Sequence, residues 1–359
     1  MQFIHAISFK DHLIDKKDIL LFKTDNNNAF GELSYLEGMH PYLDIKKNHR
    51  EIINHLFNIY QGPLTAFFEN SSDDIPLDFF DLPVPYQFLL EQMIISQIYI
   101  SQSLKNKMIN EVSFNSQLLF FTNNFNNVNE QLDFWKKMIS DKVSPTIKVK
   151  VGLRPPSFEI ELLQSFIHFS PNVLWRLDFN NRKVDPIPYV HFINKFFKNI
   201  DYLESPPNSL KSFNFPLAID LGLDFDQSTL NILKKNLFLG KSVFDPYPSF
   251  KNLKGIVLKP SFLGLGAIIK LSKQFAMENI TLTLSSSYES PLPLLLSLYS
   301  ISLKLKAGQE YASLAAFGTW DYVLNQAEIF KKITLFTSLN NENIILPKIE
   351  FGHRIKLLY

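Results

Sequence analysis

Short apolar runs alternate with longer segments of helical spacing from about residue 110 onward. The eight candidate strands span residues 117–121, 146–151, 173–178, 201–204, 216–220, 255–259, 280–285 and, more weakly, 312–317. Strands that alternate with helices pair in a parallel sheet, and eight such units are the number found in a closed (β/α) barrel. The sequence therefore predicts an α/β fold of the TIM-barrel type.

Polar residues end six of these runs. In chain order they are Lys150, Asp178, Glu204, Asp220, Lys259 and Ser285. In barrels of this architecture the carboxyl ends of the strands meet at one mouth, and the chemistry takes place there. We therefore expect these six side chains to converge on a single site.

The run TIKVKVG at residues 146–152 carries two lysines at positions i and i+2. Side chains two apart in a strand share a face, so Lys148 and Lys150 both point into the barrel mouth if the run is a strand. A lysine pair taken alone is usually a solvated strand face. Burying two ammonium groups side by side is costly unless acids or ligands compensate for them.

Three acids, Asp178, Glu204 and Asp220, end the next three candidate strands. A single strand-end aspartate is often only the N-cap of the following helix. Three converging carboxylates in a chain without cysteine select a hard divalent cation, Mg²⁺ by default with Mn²⁺ as the alternative. A desolvated lysine beside a second cation can act as a base, and such a metal stabilises the enediolate formed when a proton alpha to a carboxylate is removed.

The composition narrows the class of partner. The formal charge is +1, with 36 basic and 35 acidic side chains, so no broad field attracts nucleic acid or an anionic membrane surface, and we expect a small-molecule substrate. The apolar stretch at residues 291–305 is interrupted by Pro293 and is too short to span a bilayer. The first residues lack the features of a signal peptide, which predicts a cytoplasmic protein. No surface signal predicts the oligomeric state.

The first part of the chain differs in texture from the repeating part. It contains loop-rich stretches such as DNNNAFGEL and SSDDIPLDFFDLPVPY. We interpret residues 1–105 as an α+β capping domain, completed by residues 320–359. Residues 106–319 are then the (β/α) barrel domain.

The order of the strand-end motifs resembles that of the enolase superfamily and, within it, the o-succinylbenzoate synthases of menaquinone biosynthesis. The motifs are KVKVG, WRLDFNN, YLESPP, LAIDLGL, GIVLKPSFLGL and LSSSYES, and FGELSYLEGMHP resembles the capping-domain motif of that family. The resemblance extends from about residue 30 to about residue 320. It implies an α+β capping domain on a modified barrel.

The resemblance also implies a reaction and roles for the residues. The reaction is the Mg²⁺-dependent loss of water from 2-succinyl-6-hydroxy-2,4-cyclohexadiene-1-carboxylate. Lys150 would abstract the proton and then protonate the leaving hydroxyl, Lys148 would hold the substrate carboxylate and lower the pKa of Lys150, and Lys259 would lie over the ring. The implied metal ligands are Asp178, Glu204 and Asp220. The implied contacts to the succinyl tail are Ser285, Ser286, Gly318 and Gly38.

The chain departs from the family pattern beside two of the acids. Leu221 and Gly222 stand where the family has Glu-Ser, and Ser205 replaces the second Glu of Glu-Glu-Pro. These changes remove polar groups that orient ligands. Asp220 is therefore the least secure ligand, and we expect Asp224 to lie past the strand end rather than replace it.

Other reactions share the same first step. Racemisation of an N-acyl amino acid stays open because both lysines are present, and cycloisomerisation of a muconate is a further alternative. The sequence AAFGTW stands where a dipeptide epimerase has Asp-x-Asp, which argues against that activity. A barrel that has lost turnover is the remaining interpretation, although unpaired buried charges would serve no structural purpose in it.

Overall fold

The computed structural model describes most of the middle of the 359-residue chain and parts of both ends. The described residues are 2–7, 17–24, 29–34, 49–69, 71–104, 113–115, 118–122, 129, 146–241, 252–275, 280–285, 293, 296–297, 300, 315–316 and 354–356.

Eight strands form one parallel sheet in the order in which they occur along the chain. They are β5 (Leu118–Phe121), β6 (Thr146–Lys150), β7 (Leu174–Asp178), β8 (Ile200–Glu204), β9 (Leu217–Asp220), β10 (Leu253–Leu258), β11 (Thr281–Ser285) and β12 (Ala315–Ala316). Sequential parallel order with intervening helices is the arrangement of a (β/α) barrel. The predicted α/β fold of the modified barrel type is confirmed, with all eight strands at the expected places.

Helices lie between successive strands of this sheet along the chain. They are α3 (Pro156–Phe169), α4 (Pro186–Lys195), α5 (Asn208–Lys211), α6 (Leu221–Asp224), α7 (Gln227–Phe238), α8 (Pro260–Leu263) and α9 (Leu265–Phe275), with short 3₁₀ turns at Leu77–Asp81 and Phe197–Asn199. The outward residues of β6 and β7 are apolar and fully buried, for example Val149 and Leu177. Strands buried on both faces explain why these runs are so apolar in the sequence.

The N-terminal part contains a three-stranded antiparallel sheet and two long helices. The sheet comprises β1 (Gln2–Ile7), β2 (Lys17–Lys23) and β3 (Phe30–Ser34), and the helices are α1 (His49–Phe68) and α2 (Val84–Leu104). Two further short strands, β4 (Ser113–Asn115) and β13 (Arg354–Lys356), pair antiparallel. The boundary between residues 105 and 106 stays a prediction.

Helix α2 packs against both β3 and the barrel helices. Its Gln92 exchanges hydrogen bonds of 2.9 and 3.0 Å with the backbone of Glu32 in β3. On the barrel side, Glu91 accepts the backbone N–H groups of Leu265 and Gly266 at 2.5 and 2.9 Å. The buried Lys234 of α7 donates to Gln87 at 2.9 Å. In the part of the chain that the structure describes, no helix is long and apolar enough to cross a membrane.

The inside of the curled sheet is identified by a contact across it. Arg176 on β7 donates to Thr283 on β11 at 3.1 Å, so the side chains on this face of the strands point inward. Arg176 lies opposite Lys148 in the register, and Lys150, Asp178 and Glu204 follow at the next level. The predicted two-residue spacing therefore brings both lysines to the inner face.

Candidate active site

The two lysines of β6 are buried among the predicted acids. Lys148 Nζ is 2.8 Å from Asp178 Oδ2 and donates a short hydrogen bond to Glu204. Lys150 Nζ is 2.5 Å from the same Asp178 oxygen and donates to Asn180 Oδ1 at 3.0 Å. Only 6% of Lys148 is exposed, so the pair is not a solvated strand face.

Asp178, Glu204 and Asp220 form a row across neighbouring strands, and Lys259 contacts the end of this row that lies away from Lys150. The sequence predicts Lys259 as the last residue of its strand, but β10 ends at Leu258 and Lys259 is the next residue. Its Nζ is 2.6 Å from Asp220 Oδ2. Asp220 ends β9 and also accepts the N–H of Gly222 at 3.0 Å, which makes it the N-cap of α6 as well. Asp178, Glu204 and Asp220 thus end three neighbouring strands, and each of them contacts a lysine.

The two neighbouring lysines experience opposite electrostatic effects. Burial and the charge of Lys148 lower the pKa of Lys150, and the charge of Asp178 only partly opposes them. Burial also acts to lower the pKa of Lys148, but Asp178 and Glu204 together outweigh it and raise the pKa above its ordinary value. Lys148 is therefore the fixed cation, and Lys150 is the amine that loses its proton more easily.

The acids of the site also differ from one another. Burial favours protonation of Asp178, but Lys148 and Lys150 outweigh it and hold its pKa below its usual range. Burial and the charge of Asp178 raise the pKa of Glu204 to about 7. The buried Glu204 Oε2 has no hydrogen-bond partner among the described residues, so it is an available oxygen ligand.

Asp224 ties together the turns that follow the three acid-bearing strands. Its Oδ2 accepts the backbone N–H of Asp220 and the hydroxyl of Ser205, both at 2.9 Å, and its Oδ1 accepts the amide of Asn181 at 2.8 Å. Asn180, Asn181 and Ser205 all have positive φ, between 42° and 55°. Asp224 lies past the strand end as the sequence predicts, and its carboxylate reaches back to fix these turns.

Gly222, which follows the strand-end Asp220 by two residues, leaves space for Lys259. A Cβ at Gly222 would lie 2.9 Å from the ring of Phe262 and 3.0 Å from Cδ of Lys259. Leu221 is fully buried in the core. The missing side chain at position 222 is therefore matched to the close packing of Lys259 and Phe262.

The predicted substrate-tail residues are only partly described. Ser285 ends β11, is buried, and lies on the same face as Thr283, which points into the barrel. Ser286, Gly318 and Gly38 lie outside the described residues.

The chemistry of the three carboxylates suits a magnesium ion, because hard oxygen ligands are the ones it prefers. The unpartnered Glu204 Oε2 is consistent with this assignment. In the part of the chain that the structure describes, no three acidic, histidine or cysteine side chains lie close enough together to hold a metal ion. The lysines are the counter-ions in the observed arrangement, so a metal would have to displace Nζ contacts.

A second polar layer lies beneath the site. Arg176 donates to Asp201 at 2.8 Å and its guanidinium lies 4.6 Å from the ring centre of Tyr202. Lys254 contacts the other oxygen of Asp201 at 2.7 Å. Gly255 leaves room for the Tyr202 ring, which would be 2.8 Å from a Cβ at that position. This layer forms the floor of the strand-end site.

Sequence reasoning missed Asn180, although it contacts Lys150 directly. The adjacent asparagines at the end of WRLDFNN were the available signal, since asparagine tolerates the left-handed conformation that both residues adopt. Two buried glutamates, Glu91 and Glu159, were also missed. Glu159 accepts N–H groups of the turn just before its own helix, and Glu91 accepts those of a turn far along the chain, and no motif in the sequence marks either role.

No protein-family model matches the chain, and no curated protein sequence matches it either. Solved structures do share its fold. An N-succinyl Arg/Lys racemase from Bacillus cereus ATCC 14579 has a TM-score of 0.55, with 14% identity over 88% of this chain and 84% of its own. MenC from Desulfotalea psychrophila LSv54 has a TM-score of 0.59, with 14% identity over 88% and 92%.

A dipeptide epimerase from Methylococcus capsulatus, solved in complex with Mg ion, has a TM-score of 0.57, with 12% identity over 89% of each chain. At these identities the likeness establishes the fold. The reaction has to be argued from the residues of this chain.

Proposed function

We propose that the protein is a Mg²⁺-dependent carbon–oxygen lyase, an o-succinylbenzoate synthase, that removes water from 2-succinyl-6-hydroxy-2,4-cyclohexadiene-1-carboxylate. The observation that carries the proposal is the contact of Lys148 and Lys150 with Asp178 at the inner end of neighbouring strands. Two buried amines with unequal proton affinities beside a row of carboxylates suit proton abstraction next to a carboxylate. In this proposal the lyase reaction takes place at this mouth of the barrel.

In the proposed mechanism Lys150 is the base and then the acid. As a neutral amine it takes the proton from the carbon alpha to the substrate carboxylate, and the electron pair moves into the enediolate. The resulting ammonium gives the same proton to the leaving hydroxyl, so water departs and the ring becomes aromatic. One group serves both steps because the base becomes the required acid.

Lys148 and Lys259 provide fixed positive charge to this reaction. Lys148 keeps its proton, holds the substrate carboxylate and disfavours a second charge on Lys150. Lys259 faces the ring, where a cation stabilises the spread negative charge of the intermediate. Asp178, Glu204 and Asp220 would hold the metal, which supplies charge stabilisation to the carboxylate oxygens when bound.

The assignment is tested by the loss of the cyclohexadiene absorbance of this substrate, with Mg²⁺ and with excess EDTA. We expect turnover that requires the metal and falls by about 10³-fold in Lys150→Ala. Lys235→Ala, at a half-buried lysine on α7 whose ion pair is with Asp81, is the matched control and should leave the rate unchanged. Absence of turnover by folded wild-type protein with Mg²⁺ would reject the assignment.

A second candidate is the racemisation of an N-succinyl amino acid. Lys150 and Lys259 contact the first and last acids of the row, Asp178 and Asp220, at 2.5 and 2.6 Å, so an amine stands at each end of it. A racemase needs a base on each face of the substrate carbon. The solved N-succinyl Arg/Lys racemase has the same fold.

The two candidates differ in what Lys259 does. In a racemase, Lys259→Ala would still exchange the alpha hydrogen of one enantiomer with D₂O and would stop exchange of the other. In the proposed lyase, the N-succinyl amino acid is at best a poor substrate, and Lys259→Ala lowers dehydration instead. Rapid exchange of both enantiomers by the wild type, without dehydration, would favour the racemase.

A further inference from the structure

Glu159 is a fully buried acid in the first turn of α3, apart from the strand-end residues. Its carboxylate accepts three consecutive backbone N–H groups: that of Gly152 on Oε2 at 2.8 Å, and those of Leu153 and Arg154 on Oε1 at 2.9 Å each. These residues form the turn that leaves β6. The first of them is two residues beyond Lys150.

Two hydroxyl groups complete the contacts of Glu159. Thr122 Oγ1 lies 2.6 Å from Oε1, and the Tyr189 hydroxyl donates a short hydrogen bond to Oε2. The same Thr122 oxygen is 3.2 Å from the carbonyl oxygen of Lys150. Because Thr122 follows β5 and Tyr189 belongs to α4, one carboxylate links the ends of two neighbouring strands to two helices.

This set of donors requires a carboxylate at position 159. All five groups are neutral donors directed at two oxygens, and hydrogen bonds to an ionised acceptor are stronger than those to a neutral one. An amide of the same shape offers one oxygen and presents N–H groups where the second acceptor stands. Glutamine at this position would leave backbone N–H groups buried without a partner.

The turn held by Glu159 is also confined from its other side. Gly152 has φ +75°, and a Cβ there would lie 3.0 Å from the Val184 side chain. Lys150 Nζ is itself fixed by Asp178 and Asn180. A change in the path of the backbone beyond Lys150 would therefore move its amine relative to both partners.

We propose that Glu159 is a positioning residue for Lys150. By fixing the N–H groups of residues 152–154 and the hydroxyl next to the Lys150 carbonyl, its carboxylate sets where the Lys150 amine stands in the mouth. The effect on turnover rests on the proposed role of Lys150 as the base. The position of the amine is independent of that role and can be measured separately.

The test compares Glu159→Gln with two controls in the full-length chain. Tyr189→Phe keeps the carboxylate and removes one neutral donor, and Glu91→Gln alters the buried acid that holds the turn after Lys259. Each protein is labelled with limiting acetic anhydride, and acetylation is quantified at Lys150 and Lys259 by mass spectrometry. The kcat and KM for dehydration are measured on the same samples.

In Glu159→Gln we expect the ratio of Lys150 to Lys259 labelling to rise by about threefold or more, because the freed turn exposes the Lys150 amine. We expect kcat to fall by about 10²-fold with KM nearly unchanged, the effect of a small misplacement of a reacting group. Tyr189→Phe removes one of the five donors but keeps the carboxylate, so it should change both quantities much less than Glu159→Gln does. Glu91→Gln should lower the labelling ratio.

A labelling ratio in Glu159→Gln that stays near the wild-type value, or falls, would overturn the proposal. So would an equal rise in Tyr189→Phe. If Glu159→Gln does not fold, Glu159→Asp replaces it, since a shorter carboxylate keeps the charge and should give a smaller rise in the same ratio. A raised ratio in a protein whose wild type does not dehydrate the substrate would keep the positioning role and reject the proposed reaction.

Discussion

The segments that follow β6 and β10 can be compared, because each begins after a lysine of the site. Each contains a glycine of positive φ, and a buried glutamate accepts backbone N–H groups in or directly after it. Lys150 is followed by Gly152 with φ +75°, and Lys259 by Gly264 with φ +79°. Glu159 accepts the N–H groups of the first turn. Glu91 accepts those that open α9, after the second turn.

The two supports come from different parts of the molecule. Glu159 belongs to the helix that directly follows its turn, whereas Glu91 lies on α2, more than a hundred residues before the residues it holds. The five donors to Glu159 are neutral, whereas the charge of the buried Lys234 acts on Glu91. The position of Lys150 is thus a property of the barrel itself, and that of Lys259 depends on the contact between α2 and the barrel helices.

The largest expected loss of stability is at the turn after β6. Glu159→Gln should lower the free energy of unfolding by about 3 kcal/mol, because several buried backbone donors lose their acceptor at once. Urea denaturation followed by circular dichroism measures it. Glu161→Gln, on the same helix, is the matched control. A loss no larger than that of the control would show that the turn is held by other contacts.

A smaller loss is expected at the turn after β10. Glu91 accepts two backbone N–H groups instead of three and two hydroxyls, so Glu91→Gln should cost about 1.5 kcal/mol above pH 7, where burial leaves Lys234 neutral and no buried charge loses its partner. The same denaturation experiment measures it, with the exposed Glu51→Gln as control. If Glu91→Gln lowers the free energy of unfolding more than Glu159→Gln does, the number of hydrogen-bond donors does not determine which of the two losses is larger.

The contribution of the contact between α2 and the barrel to the free energy of unfolding should also depend on pH. Burial raises the pKa of Glu91 to about 7 from an ordinary value of 4.5, and burial lowers the pKa of Lys234 to about 7 from 10.5. Between pH 4.5 and about 7 the native state keeps a proton that the unfolded chain loses, so stability falls as the pH rises. Between about 7 and 10.5 the unfolded chain keeps a proton that the native state lacks, so stability rises again.

Measuring this requires the pair to be removed without leaving one charge behind. We would measure the free energy of unfolding of the wild type and of Glu91→Gln/Lys234→Met across this pH range. The difference, wild type minus double variant, should be smallest near pH 7. It should lie below its values at the two ends of the range by about a few kcal/mol at most. A difference that does not change with pH would mean that the two groups keep their ordinary charges when buried.

The smallest effect is expected for the lysine next in sequence to Lys234. Lys235 forms an ion pair of 2.5 Å with the exposed Asp81. Lys235→Met should change the free energy of unfolding by about 0.5 kcal/mol or less, since solvent screens the pair. The change should vanish at high salt. A loss of stability as large as that of Glu91→Gln would contradict the expectation that a solvent-exposed ion pair on α7 contributes less than a buried contact.

The strands and the strand-end residues were predictable because both follow a local rule. β-branched apolar runs that end on Lys150, Asp178 or Asp220 mark strands and place those side chains at the mouth of the barrel. Six of the eight strands followed from this pattern, and the apolar runs at 117–121 and, more weakly, at 312–317 indicated the other two. The exception was small: Lys259 lies just beyond β10, because Pro260 begins a helix and has no N–H to extend the ladder.

The supports of the site were not predictable from the sequence. Glu159 reads as an ordinary acid in the first turn of a helix, and Glu91 as one polar residue within an apolar one. The sequence predicted that Asp224 lies past the end of its strand, but it did not predict the hydrogen bonds of Asp224 to Ser205 and Asn181. The contacts of Glu91 and Asp224 join residues that are distant in sequence, and those of Glu159 depend on the path of the turn before its helix, so neither spacing nor propensity predicts them.

The most direct test of the proposed site is proton NMR in D₂O of the cyclohexadiene substrate with Mg²⁺ and either wild type or Lys150→Ala. The proposal predicts that the wild type removes the hydrogen alpha to the carboxylate as aromatic o-succinylbenzoate signals grow, and that folded Lys150→Ala shows neither change. Loss of that hydrogen at the same rate in both proteins, or its retention with the folded wild type, would contradict the assignment of Lys150 as the base.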